Sequence, residues 1–159
     1  MPFAELAFPS PNFAAAPAHE RLGVCFHHSV MDFKTTIAHM LLPESQVSYH
    51  VLIALDGTRA TLVIDEHIAW HAGLSVFRER PRCNDFLLGV AFAGDTYAAP
   101  LTDEQIASAL EWLAPRWQRH RWSSAVMTDH RQISPNRKDD LNPAEWQRLF
   151  SAITVRFRD

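Results

Sequence analysis

The segment TDHRQISPNRKDDLNP (residues 128–143) sets an imidazole, His130, and a carboxylate, Asp140, with nine residues between them, Lys138 among these. A loop of that length can fold back and bring both side chains to a common ligand. Further imidazoles lie upstream, where His27 and His28 fall near the end of the apolar run GVCFHHSV (23–30). Two imidazoles and one carboxylate leave the fourth position of a tetrahedral ion open. That is the donor set of catalytic zinc, on which water ionises near neutral pH. Spacing alone chooses neither between His27 and His28 nor between a metal centre and a packed histidine beside a solvated loop. No dense ligand motif such as HExxH is present.

The elements that must position these groups can be read from the same chain. With 159 residues, 47% of them hydrophobic, it suits one domain around one core. GVCFHHSV and LLGVAFAG (87–94) read as buried strands, and SAVMTDH (124–130) as a third that ends in His130. Segments 47–55 and 58–64 flank Asp56-Gly57 and predict a hairpin, because Gly and Asp tolerate positive φ. Asp32 is placed to cap a helix that Pro43 ends. Thr102 with Gln105 forms a capping box for a helix to about His120, with a kink expected at Pro115. Asn142-Pro143 opens a last helix. Residues 1–22 are rich in Pro and Ala and read as an arm packed on the domain, without regular structure. The fold class expected is α/β, a single domain with a mixed central sheet flanked by helices.

Bulk properties exclude several classes. A net charge of −3 and a pI near 6.3 give no electrostatic grip on nucleic acid. No apolar run reaches the roughly 20 residues of a membrane span. The opening segment has neither a basic n-region nor a continuous apolar h-region, so a cytoplasmic location is expected. Cys25 and Cys83 read as reduced, buried thiols.

Six motifs then occur in a telling order: FHHS, VSYHVLIALDGT, AWHAG, RCNDFLLGVAFAGD, LTDEQIASAL and DHRQISPNRKDDLNP. Together they resemble the zinc-dependent N-acetylmuramoyl-L-alanine amidases of the amidase-2 family, and the RCNDF segment is most similar to the AmpD type. The resemblance implies an amidase domain over residues 23–159 and a muropeptide or peptidoglycan fragment as substrate, the sugar being ordinary or 1,6-anhydro. It implies Zn2+ on His27, His130 and Asp140, and a catalytic Lys138. It also implies substrate contacts from Trp70, His71, Arg82 and Asn84. His71 can instead be read as a loop anchor and Asn84 as a turn cap. Arg131, Arg137 and Asp139 are expected to face water, and His19, His39, His50, His67 and His120 to serve packing or surface.

The chain departs from the AmpD pattern in three places. The glutamate that would activate water on the strand GVAFAG is replaced by Ala91, which can neither accept a proton nor orient a water. Tyr49 stands where phage T7 lysozyme and the peptidoglycan recognition proteins carry a tyrosine, which implies a catalytic role for it. After Asp140 the usual Pro-Gly-Pro is Leu-Asn-Pro. Ala91 also leaves a second reading open, a muropeptide-binding protein without catalysis.

Overall fold

The computed structural model describes residues 2–158. Its strands are β1 (Glu5–Ala7), β2 (Phe13–Ala15), β3 (Gly23–His28), β4 (Val51–Ile53), β5 (Arg59–Thr61), β6 (His67–Ala69), β7 (Val76–Phe77), β8 (Arg80–Pro81), β9 (Leu87–Phe92) and β10 (Met127–Asp129). Its helices are α1 (Phe33–Met40), α2 (Asp103–His120), α3 (His130–Ile133) and α4 (Pro143–Arg156). Six strands form one mixed sheet in the order β1-β5-β4-β9-β3-β10, in which only β4 and β5 pair antiparallel. The α/β architecture expected from the sequence is the one observed.

The pleat divides the central strands between two layers. Val24, Phe26, Leu88, Val90 and Phe92 face Trp112 and Leu113 of α2 and Trp146, Leu149 and Ile153 of α4. On the other face, Leu52 and Ala91 pack with Ile37 and Met40 of α1. Cys25, in register with Gly89, packs there with Ala72, Phe86 and Ile133. His27, two residues along β3 from Cys25, belongs to this second face, which α1, the short α3 and loops cover.

Local chemistry starts the helices where expected. Asp32 accepts the N–H of Thr35 at 2.7 Å. Thr102 and Gln105 exchange both bonds of a capping box, each at 3.0 Å. Asn142 accepts from Ala144 ahead of α4. α2 runs unbroken through Pro115 to a left-handed residue at Arg121.

Three expectations need correction. Residues 1–22 do contain regular structure: β1 adds a parallel edge strand beside β5, and β2 pairs with β6. The 47–55 strand is shorter, because Ser48 bonds to Trp70, while His50 still bonds to the neighbouring strands just ahead of β4. Ser48 N–H donates to Trp70 O, Ser48 Oγ accepts from Trp70 N–H, and His50 N–H donates to Gly89 O. Finally, 124–130 begins as a 3-10 turn and yields only β10, since the Asp129 carboxylate caps Gln132 and turns His130 into α3. No helix among the described residues is long and apolar enough to cross a membrane.

Replacing Thr102 with Ala removes the cap of the longest helix and is expected to cost about 1 kcal/mol, read as a lower urea midpoint at unchanged m-value.

Candidate metal centre

β3 delivers His27 and the end of β10 delivers His130, so two buried imidazoles meet across a pair of parallel strands. Their Nδ1 atoms lie 3.0 Å apart. Asp140 stands over both, with Oδ2 3.7 Å from His27 Nδ1 and Oδ1 3.5 Å from His130 Nδ1.

The outer nitrogens decide what this contact is. His130 Nε2 lies 2.9 Å from Ala72 O and His71 Nε2 lies 2.9 Å from Leu87 O. A carbonyl only accepts, so both nitrogens carry hydrogen. Neutral His71 then offers a lone pair at Nδ1, which takes the hydrogen of His27 Nε2 at 2.9 Å. With His27 and His130 neutral, each is left with a bare lone pair at Nδ1, aimed at the other. Two lone pairs at 3.0 Å repel unless a cation lies between them. A carboxylate beside both makes three donors, which fits a divalent transition-metal ion.

Two neighbouring clusters fit a metal less well. Cys25, His27 and His71 converge, but the His27–His71 edge already holds a hydrogen, and burial, with Asp140 next, pushes the Cys25 thiol well up. His28, Asp139 and Asp140 converge as well. There Thr96 N–H donates to His28 Nδ1, so His28 Nε2 carries hydrogen and is a donor.

The return of the chain to Asp140 is pinned by a residue the sequence reading passed over. Asp129, whose side chain is fully buried, caps Gln132 with Oδ1 and accepts Leu141 N–H at Oδ2, 3.0 Å away. Arg131 N–H donates to Asp140 O at 2.6 Å. Asp140 Oδ2 in turn accepts the N–H of His28 at 3.2 Å. An Asp three residues before Gln132 was a legible N-cap signal; its second bond, to Leu141, was not.

A cavity of about 510 Å³ opens onto the centre. Tyr49, Trp70, His71, Asn84 and Lys138 line it with the three donors. The Tyr49 ring lies 5.2 Å from that of His27. His71 is buried against His27, and Asn84 Oδ1 accepts the N–H groups of His71 and Ala72, so both anchor the 71–72 loop. Arg82 is not among the lining residues; its side chain is 81% exposed and pairs with Asp85 at 3.5 Å. Two further expectations change. Arg137 lines the cavity and donates to the carbonyls of Ala72 and Leu74. Arg131 is half-buried against Asp129 and Leu141 O. His39 also lines the cavity, whereas His50 is a buried strut between Gly89 N–H and His67 O. Ala91 pairs in register with His27 and is fully buried, so that strand position presents no carboxylate.

A family model described as N-acetylmuramoyl-L-alanine amidase matches residues 18–143. The chain belongs to that family. It is 35% identical to 1,6-anhydro-N-acetylmuramyl-L-alanine amidase AmpD of Enterobacter cloacae over 124 residues, 77% of this chain. That match spans 63% of the relative's length. A crystal structure of a selenomethionine AmpD derivative superposes with TM-score 0.76 at 27% identity, covering 94% of this chain and 93% of that one. The Escherichia coli amidase AmiD, in complex with the substrate anhydro-N-acetylmuramic acid-L-Ala-D-γ-Glu-L-Lys, superposes with TM-score 0.72 at 28% identity over 85% of this chain and 58% of that one.

In this member of the amidase family burial favours the neutral form of His27 and of the two histidines behind it, His71 and His50. Burial, then His130 and His71, pushes His27 well down. Burial also takes His71 to about 3 and His50 to about 4. Burial opposes the charge of Asp140, but His130, His28 and the His28 N–H hold its carboxyl below the usual range. His50 and His71 thus protonate more readily in the unfolded chain, near pH 6.5, than in the folded one. Chelator-treated protein is therefore expected to keep this contribution to stability above pH 6.5 and lose it as pH falls toward 4 and then 3. Urea titrations at pH 7, 6, 5 and 4 check this, and a midpoint that is flat or rises on acidification would contradict it.

Proposed function

We propose that this protein hydrolyses the amide between the lactyl group of N-acetylmuramic acid and the L-alanine of a stem peptide, in soluble muropeptides of the ordinary or 1,6-anhydro form. The observation that carries the reading is the convergence of two imidazole lone pairs and a carboxylate on an open cavity, in a chain of the amidase family. His27, His130 and Asp140 would hold zinc, which when bound supplies Lewis-acid polarisation of the scissile carbonyl and of a water. A cytoplasmic location belongs to the same reading.

The remaining work falls to this chain's own groups. Lys138 lines the cavity and brings an ammonium to its wall, suited to stabilising the oxygen that turns negative as the carbonyl is attacked. Burial, with Asp140 next, pushes the Tyr49 phenol up, so it stays protonated at neutral pH and acts as a hydrogen-bond donor. Arg137 gives the wall a guanidinium for the carboxylates of a stem peptide, which supports Arg137 over Arg82 in that role. Trp70 supplies an aromatic face to the same wall. A purely binding protein has no use for an open-sided donor set beside an ammonium, and this favours catalysis despite Ala91.

Zinc-loaded protein incubated with a MurNAc-tripeptide, and separately with its anhydro form, is expected to release peptide detectable by mass spectrometry. Tight binding of both with no release would replace the enzyme reading by the binder. Lys138→Ala is expected to lower kcat about 100-fold while zinc content stays at parent level. Tyr49→Phe should reduce turnover at constant zinc content, and unchanged turnover removes Tyr49 from the chemistry.

A further inference from the structure

The two candidate ligand imidazoles depend on one short piece of chain. His71 Nδ1 accepts the hydrogen of His27 Nε2, and Ala72 O accepts that of His130 Nε2. These acceptors belong to consecutive residues of a loop with no place in the main sheet. What fixes that loop is Asn84, whose Oδ1 accepts both His71 N–H at 3.1 Å and Ala72 N–H at 2.8 Å. Arg137 grips it from the other side by donating to Ala72 O at 2.6 Å.

His71 has further support of its own. Its Nε2 is held on Leu87 O at the start of β9, and it stands over Gly89. A Cβ at Gly89 would come within 2.5 Å of the imidazole, so the strand is bare where the ring needs the space. His71 is only 7% exposed, and both ring nitrogens are already engaged within the protein. Those two bonds leave it no nitrogen with which to contact substrate.

We infer that His71 is a positioning residue for the metal centre, fixing the His27 tautomer while the Asn84-held 71–72 loop presents the outer acceptors of both ligand imidazoles. The inference rests on the zinc reading of the site. Without an acceptor at His71 Nδ1, the hydrogen of His27 has no reason to stay on Nε2, and the Nδ1 lone pair that faces Asp140 is no longer guaranteed. Outer acceptors of this kind hold ring orientation and raise ligand basicity, and their loss costs roughly 10- to 100-fold in metal affinity.

The test is zinc affinity by competition with a chromophoric chelator, alongside the visible spectrum of the cobalt(II)-substituted protein. His71→Phe, which keeps a ring but removes the acceptor, is expected to weaken zinc binding about 10- to 100-fold and to shift the cobalt bands. His71→Asn, whose side-chain oxygen falls at the place of Nδ1 and can accept from His27 Nε2, should recover much of the loss. Asn84→Ala should weaken binding in the same direction as His71→Phe. Affinity within twofold of the parent for His71→Phe, or no recovery by His71→Asn, overturns the inference and leaves the zinc reading standing. If His71→Phe does not fold, Asn84→Ala decides, and parent-like affinity there overturns the inference. An unmodified protein that binds no zinc would overturn the metal reading and this inference together.

Discussion

Two imidazole Nδ1 atoms 3.0 Å apart, in rings buried from solvent, form the contact on which the rest of this structure turns. With both rings neutral such a contact is repulsive, and a fold that merely packed histidines would move one hydrogen onto Nδ1. Here neither ring can make that shift, because it would aim an Nε2 lone pair at Ala72 O or set His27 Nε2 against the lone pair of His71. The fold therefore accepts a local cost that a cation relieves. This is the arrangement expected of a binding site rather than of a satisfied core, where every buried polar group finds a complementary partner.

The surrounding architecture serves that contact. Parallel pairing of β3 with β10 carries both imidazoles to adjacent strand ends. The larger apolar cluster, on the opposite face of the sheet, is closed by α2 and α4 and leaves the second face free to hold the donors. On that second face, small residues make room: Gly89 under His71 and Ala91 beside His27. Asp129 holds the far end of the 130–141 excursion to the strand it left, which turns a charged loop into a rigid arm for Asp140. Arg137 and Asn84 clamp the facing loop, so the cavity walls are tied to the same residues that orient the donors.

Ala91 gives this amidase-family chain its own character. Under the proposed reaction, a fully buried methyl group in register with His27 leaves proton transfer to the cavity rim rather than to the sheet. Tyr49 and Lys138 are the rim groups that bring a donor and a charge. The phenol, kept protonated by burial, suits hydrogen bonding to developing charge better than general-base work.

Much was legible in the amino-acid order because it is decided within a few residues. The caps at Asp32, Thr102 and Asn142, the turn at Asp56-Gly57 and the buried runs of β3 and β9 are local matters of hydrogen bonding, φ and hydrophobic pattern. The motif order also implied His27, His130, Asp140, Lys138 and Tyr49, which share one cavity. Local pattern could not foresee that Ser48 would leave its strand for Trp70, or that residues 5–7 would gain a partner in β5. Nor could it tell that Arg82 would point to solvent while Arg137 lined the wall. The choice of His27 over His28 rests on the pleat, which sends neighbouring side chains to opposite faces once the register with β9 is set. The tautomers belong wholly to tertiary structure: a histidine's hydrogen goes to whichever nitrogen meets an acceptor, and here the acceptors come from residues 44 and 58 positions away in sequence.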